Sequence, residues 1–326
     1  MRSFKKIFVS KQAGIGDVIV TTPVLKALKK RFPQSHLTLM VLPNAVELVS
    51  GLPFIDEVFV YDKERDSVWK LFKKLRGQDL ALFLDLQYRP ALVAALAGVP
   101  VRAGLEHKRK FWLNRALPWQ EYMDHKYEPY VFGDILRETV GIDIPDTELS
   151  QLYVSEASEA EKQDLQGRLS ASPYVVSCPV TAYFLKNWPL DRWNELYRRI
   201  YQEQGLKTVI FGHGPLEFDW DKEAVVSLWG QLNLRQVAEL IKNAKLLVNG
   251  SSLPEHIAAA TGTPCVLLYG FSDPDRWPPR QKCRLVRTAL ECSPCDGYHG
   301  SKCQQPRCME QMTVEQVYAA CREMLA

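Results

Sequence analysis

Short apolar runs alternate with one-face helical patterns through the first third of the chain. Residues 6–10, 36–42, 57–61 and 80–86 are compact aliphatic stretches that read as strands. Between them, residues 17–31, 45–51, 67–76 and 89–97 read as helices, with Val24, Leu25, Leu28 and Phe32 at one-face spacing in the first. Strand then helix, repeated, predicts a parallel sheet with helices on both faces.

Residues 121–171 break this rhythm. A helix is predicted over 130–140, Pro145 marks a turn, and the polar stretch 155–172 reads as the approach to an interdomain linker. The alternation then restarts, with strands over 174–178, 207–211, 246–249 and 265–269 and helices over 190–204, 233–243 and 254–261. Thr313, three residues before Gln316, predicts a capping box opening a final helix that runs to about 325. The chain is thus predicted to be an α/β protein of two Rossmann-like parallel-sheet domains, 1–165 and 166–326. A ligand cleft is expected between them, at the carboxyl ends of the strands.

Composition narrows the function. The 326 residues suffice for two cores, and 46% hydrophobic with 24% charged residues is an ordinary globular balance. A net charge of +3 is too small to argue for a nucleic-acid partner. No apolar run approaches the ~20 residues a membrane span requires. Residues 1–10 lack both the apolar length and the cleavage site of a signal peptide, so a cytoplasmic protein is expected. In that compartment the eight cysteines would be reduced thiols rather than a disulfide framework.

Three turns at predicted strand ends carry candidate chemistry. In Ala13-Gly-Ile-Gly-Asp17 the glycines allow close backbone approach at a helix start, but the third glycine of a dinucleotide fingerprint is absent. That absence argues against an oxidoreductase. Asp17 is either a helix N-cap or a base that takes a proton from an attacking hydroxyl. In residues 181–193, Lys186 is either a solvated lysine or the cation that neutralises a leaving diphosphate, and Trp188 and Trp193 are read as packing anchors. In residues 249–256, Ser251 and Ser252 can cap a helix whose free amides suit a phosphate. His256, beside three alanines, reads on its own as structural.

Gly16-Asp17, Thr22-Pro23, the segment 186–189, the run His256-Ile-Ala-Ala-Ala, then Gly262, Pro264 and residues 270–274 occur in an order and spacing that span nearly the whole chain. Together they resemble the ADP-heptose–lipopolysaccharide heptosyltransferases of glycosyltransferase family 9. The resemblance implies a GT-B fold and an inverting transfer of a sugar, heptose from ADP-heptose, onto a lipopolysaccharide core or related glycan. It implies no cofactor or metal for catalysis. It assigns Asp17 as the base and Lys186 to the donor diphosphate, places Thr181, Ser251, Ser252 and His256 along the donor, and sets Glu217 against its nucleoside. The acceptor would be a glycolipid or glycan at the inner membrane surface, with the protein peripheral to that membrane. Family members usually carry Asp-x-Gly where this chain has Ser251, Ser252 and Leu253. That departure keeps an altered donor, or a non-catalytic sugar-nucleotide-binding protein of the same fold, as the alternative.

Two further features stand outside that set. Cys292, Cys295, Cys303 and Cys308 lie in a Gly/Pro-containing loop, where four thiolates suit a structural zinc or iron ion and the bland reading is reduced loop thiols. A similar cysteine-rich segment, differently spaced, occurs in iron-binding relatives of the family. Lys108, Arg109, Lys110 and Arg115, interleaved with Phe111 and Trp112, read equally as a solubilising loop and as a contact for an anionic acceptor at a membrane.

Overall fold

The computed structural model describes residues 3–118, 126–169, 173–295 and 303–326. Its first unit, Met1–Ser155, is built on β1 (Lys6–Ser10), β2 (His36–Val41), β3 (Glu57–Val60), β4 (Leu80–Phe83), β5 (Val101–Leu105) and β6 (Arg115–Leu117). The strands pair in parallel in the order β3-β2-β1-β4-β5-β6. β1 is central because it is apolar towards both faces: Ile7, Phe8 and Val9 are fully buried.

The helix expected over 17–31 is two helices, Ile15–Ile19 and Thr22–Arg31. Pro23 is the cause. In one continuous helix its N–H would bond the Ile19 carbonyl, and proline has none. The Thr22 hydroxyl donates to that carbonyl instead, at 2.6 Å, and accepts the Tyr153 N–H at 2.9 Å.

The second unit, Glu156–Ala326, repeats the plan with β7 (Tyr174–Ser177), β8 (Lys207–Ile210), β9 (Val225–Ser227), β10 (Leu246–Gly250), β11 (Cys265–Leu268) and β12 (Cys283–Val286). All pair in parallel in the order β12-β11-β10-β7-β8-β9. Trp188 and Trp193 are packing anchors as expected, their rings edge to face at 5.0 Å. The Trp188 indole N–H donates to the Met312 carbonyl at 3.1 Å, at the entrance to the last helix, Val314–Leu325. The Thr313–Gln316 capping box opens that helix.

The boundary between the units falls after Ser155, not at 165. The polar stretch taken for a linker approach contains a helix, Glu159–Arg168, opened by a Ser158–Glu161 capping box. It is polar because only Leu165 of it is buried. It belongs to the second unit because Asn233 donates to Glu161 at 2.9 Å and Gln236 donates to Asp164 at 2.7 Å.

In each unit the loops that leave the carboxyl ends of the strands carry the residues singled out in the sequence. In the first unit these are 11–14 after β1, which lead into the helix bearing Asp17, and 106–114 after β5; the loop 84–87 after β4 lies beside them. In the second they are 178–189 after β7, 211–219 after β8, 251–252 after β10 and 269–274 after β11.

Candidate active site

Asp17 is not a cap. Gly14 is the N-cap of the five-residue helix Ile15–Ile19, and Asp17 is its third residue. Its half-buried carboxylate folds back over the helix start, where a methyl group on Gly14 would stand 2.9 Å from Oδ2. Among the described residues no side chain hydrogen-bonds or ion-pairs with it, which leaves it open to a hydroxyl. Beneath the same sheet edge lies a buried polar set. Asp85 accepts from the Ser10 hydroxyl, from the Gln12 N–H at 3.0 Å and from the Gln87 N–H at 2.9 Å. The buried Lys11 ammonium donates to the Leu84 carbonyl at 2.9 Å and sits over the Phe132 ring. These bonds fix both loops beside the turn that carries Asp17.

At the second sheet, residues 181–187 close on themselves. The Thr181 N–H and hydroxyl both donate to Asn187 Oδ1, at 2.8 and 2.9 Å. Lys186 is half-buried, its ammonium 5.8 Å from the centre of the Phe271 ring. This loop packs closely against the end of β10, where a Cβ on Gly250 would stand a tight 3.1 Å from the Lys186 carbonyl. Asn249 joins the strand ends, accepting the Cys178 N–H at 2.8 Å and donating to Ser252 Oγ at 2.9 Å. Ser252 is the N-cap of the nine-residue helix Leu253–Thr261, whose start no side chain caps. A helix start of this kind carries partial positive charge. Two cationic features, Lys186 and the helix start, therefore share one sheet edge.

The profile of glycosyltransferase family 9 (heptosyltransferase) matches residues 68–303. The chain belongs to glycosyltransferase family 9. It is 28% identical over 320 residues to lipopolysaccharide heptosyltransferase 2 of Escherichia coli K12, covering 90% of this chain and 89% of that protein. Among solved structures it is similar to a family 9 glycosyl transferase of Veillonella parvula, with a TM-score of 0.82 and 23% identity over 100% of this chain and 98% of that one. It is also similar to E. coli ADP-heptose lps heptosyltransferase II, with a TM-score of 0.78 and 26% identity over 98% of each chain. The protein is a glycosyltransferase of GT-B fold, as the resemblance implied.

Within this family 9 enzyme the remaining sequence candidates divide. Glu217 is exposed in the loop after β8. That loop is shaped by Trp229, whose ring occupies the space of a Gly212 side chain and whose N–H donates to the Gly214 carbonyl at 2.8 Å. Ser251 is buried and turns its hydroxyl inward, donating to Glu255 at 3.1 Å. His256 is buried beside Glu255 and lies edge to face against Trp277 at 6.4 Å.

The basic stretch of the family 9 chain splits in the same way. Lys108 and Lys110 are exposed in the loop after β5, with Phe111 91% exposed between Lys110 and Trp112. Arg109 is not a surface cation. It is fully buried, 3.6 Å from Asp85, and donates to the Leu105 carbonyl at 2.8 Å and to the Gln87 and Phe83 carbonyls at 3.3 Å. Burial pulls its pKa down and the Asp85 charge opposes that pull. Arg115 opens β6 level with Ala103 in the middle of β5, and its side chain lines a hollow with Phe4, Arg31, Phe32 and Val101, away from the loops that carry Asp17 and Lys108. Neither Arg109 nor Arg115 belongs to the surface around Asp17.

Cys308 lies not in a loop but in the short helix Arg307–Glu310, buried, with its sulfur in the space of a Gly270 side chain. Burial pushes its thiol pKa up, and Cys295, Cys303 and Cys292 push it further. Among the described residues, no three histidine, cysteine or acidic side chains are gathered closely enough to hold a metal ion.

Glu255, Tyr269 and Asp85 are not among the candidates drawn from the sequence. Glu255 alone left a signal: it is one acid in a stretch of small and apolar residues, four positions after Ser251.

Proposed function

We propose that this glycosyltransferase moves heptose from ADP-heptose onto a lipopolysaccharide core or a related glycan, with inversion at the anomeric carbon. The chain's similarity to E. coli lipopolysaccharide heptosyltransferase 2 along most of both lengths supports the donor and acceptor class. The observation that carries the chemistry is the unpaired Asp17 carboxylate at the carboxyl edge of the first sheet. The acceptor hydroxyl gives its proton to Asp17 as its oxygen bonds the anomeric carbon. The bond from that carbon to the diphosphate breaks, and the electron pair leaves on the phosphate oxygen. Lys186 and the start of helix Leu253–Thr261 stabilise the charge that builds there. Thr181, Ser252 and His256 border the donor, Ser251 supports it from behind, and Glu217 meets the nucleoside.

On the acceptor side, Lys108 and Lys110 meet the anionic groups of the glycolipid, and the exposed Phe111 suits the apolar boundary of an inner-membrane surface. No helix among the described residues is long and apolar enough to cross a membrane, so association would be peripheral. The four cysteines, three in a loop and Cys308 in the helix that follows it, are proposed as a separate structural site. Its soft donor set suits zinc or iron, with Cys292, Cys295 and Cys303 closing on the fixed Cys308. No step of the transfer runs through it.

The test is a screen of ADP-, GDP-, UDP- and dTDP-sugars by thermal shift, followed by product analysis with the sugar that binds. Selective stabilisation by ADP-heptose and an inverted product support the reading. Selective response to another nucleotide replaces the donor, and retention at the anomeric carbon overturns direct displacement.

A further inference from the structure

Glu255 is the third residue of helix Leu253–Thr261 and is 1% exposed. Both its oxygens are engaged. The Tyr269 hydroxyl donates to Oε2 at 2.5 Å, the Ser251 hydroxyl donates to Oε1 at 3.1 Å, and Nε2 of His256 stands 3.7 Å from Oε1. One carboxyl thus joins the loop after β10, the end of β11 and the helix bearing His256. Lys186, from the loop after β7, is near enough for its charge to favour the ionised form. A buried acid with no part in the displacement therefore touches or faces several groups assigned to the donor.

We propose that Glu255 is a positioning residue of the donor site, and that binding a nucleoside diphosphate is coupled to protonation of its carboxyl. The inference rests on the assignment of Lys186 and the helix start to the diphosphate. Phosphate brought to those features adds negative charge near a carboxylate that water does not screen, and draws on the lysine's attraction for it. Both effects disfavour the ionised carboxyl, which takes a proton from solvent. Held by Tyr269 and Ser251, the protonated carboxyl keeps its place, so the site changes charge without changing shape.

The other ionisable groups facing Glu255 are His256 on its own helix, Lys186 after β7, and Tyr269 and Cys265 on the β11 side, with the free thiol of Cys283 in β12 hydrogen-bonded to that of Cys265. Burial pushes the Glu255 pKa up to about 7, against the opposing effects of Tyr269, Lys186 and Ser251. The carboxyl therefore already titrates near neutrality, where a further upward push changes its occupancy.

Calorimetry of ADP binding to the full chain, in buffers of different ionisation enthalpy at about pH 7.5, reads the proton directly. Wild type should take up more protons per ADP than Glu255→Gln, a near-isosteric change that removes the titrating group. Wild-type affinity should fall between about pH 6.5 and 8.5, by about tenfold for each unit by which ADP raises the carboxyl's pKa. Glu255→Gln should lose that part of the pH dependence. Tyr269→Phe removes a hydrogen bond that favours the charged form, so its pH profile should move upward, and this decides the matter if the glutamine variant does not fold. Equal proton uptake in wild type and Glu255→Gln, or an unmoved profile in Tyr269→Phe, overturns the coupling alone. Failure of wild type to bind any nucleoside diphosphate overturns the donor-site reading and the coupling with it.

Discussion

The space that a side chain on Gly14 would fill is taken by the carboxylate of Asp17, whose Oδ2 would lie 2.9 Å from a Cβ at position 14. Gly14 itself has φ −56° and ψ 157°, a conformation open to alanine. Gly14→Ala therefore strains no backbone; it pushes the Asp17 side chain aside. Transfer should fall severalfold or more while the melting temperature holds. Asp17→Asn keeps size but cannot accept the proton, so it should fold, bind donor and lose about 100-fold or more in turnover. Near-normal turnover in Asp17→Asn removes the residue from the mechanism.

Lys186→Ala should weaken ADP far more than adenosine. Losing a charge-assisted contact to phosphate costs about 1.5–3 kcal/mol in a shielded site. Paired titrations of ADP and adenosine check this, and equal affinities of the two proteins for ADP refute the contact.

The basic stretch should divide by mutation as it does by position. Arg109→Ala leaves Asp85 buried without its cation and should destabilise the first unit by about 3–5 kcal/mol. Lys108→Ala and Lys110→Ala should leave denaturant midpoints unchanged and weaken binding to anionic vesicles or glycolipid. Urea unfolding and vesicle sedimentation separate the two groups.

Much of this architecture was legible because the decisive signals are local. Eight strands announced themselves as apolar runs. β5, β6, β9 and β12 did not, since Arg102 and Gly104 interrupt one, β6 and β9 have three residues each, and β12 is largely open to solvent. The two-part helix at Pro23 was readable in principle from the missing N–H. Asp17 and Lys186 could be picked out because strand-to-helix turns are short and rich in glycine and proline. Glu255 could not be placed, because its meaning depends on Tyr269 in another strand, and no spacing rule joins them. Arg109 failed for the same reason: a cation among cations looks exposed until Asp85, Phe83 and Leu105 are brought around it.

Glu255 also sets a pH dependence of stability. Its pKa is about 7 in the fold against 4.5 in the unfolded chain, so the native state holds the proton more tightly. The associated stability is fully present below about pH 4.5 and is lost as pH rises through about 7, a change on the order of 3 kcal/mol. Glu255→Gln should remove this decline, so the difference in unfolding free energy between the two proteins should grow in favour of the variant from about pH 5 to 8. A constant difference across that range contradicts the placement of the carboxyl.

Protein purified under reducing, chelator-free conditions should carry close to one equivalent of zinc or iron at Cys292, Cys295, Cys303 and Cys308. Chelation should loosen that loop while the second sheet stays folded, and should leave transfer intact. Metal-free protein by elemental analysis returns the four residues to ordinary thiols.

The double use of the Thr22 hydroxyl has a practical consequence for cutting the chain. Its bond from the Tyr153 N–H holds the outgoing segment against the turn that follows the Asp17 helix, and Ser155 adds a bond from its hydroxyl to the Ser50 carbonyl at 2.6 Å. A fragment that stops at Ser155 keeps both fastenings. One trimmed a few residues earlier, at Leu152, still contains every strand of the first sheet, yet leaves Thr22 with an unused acceptor beside the proposed base. The shorter piece should retain its secondary structure and lose protection from amide exchange first in residues 15–22.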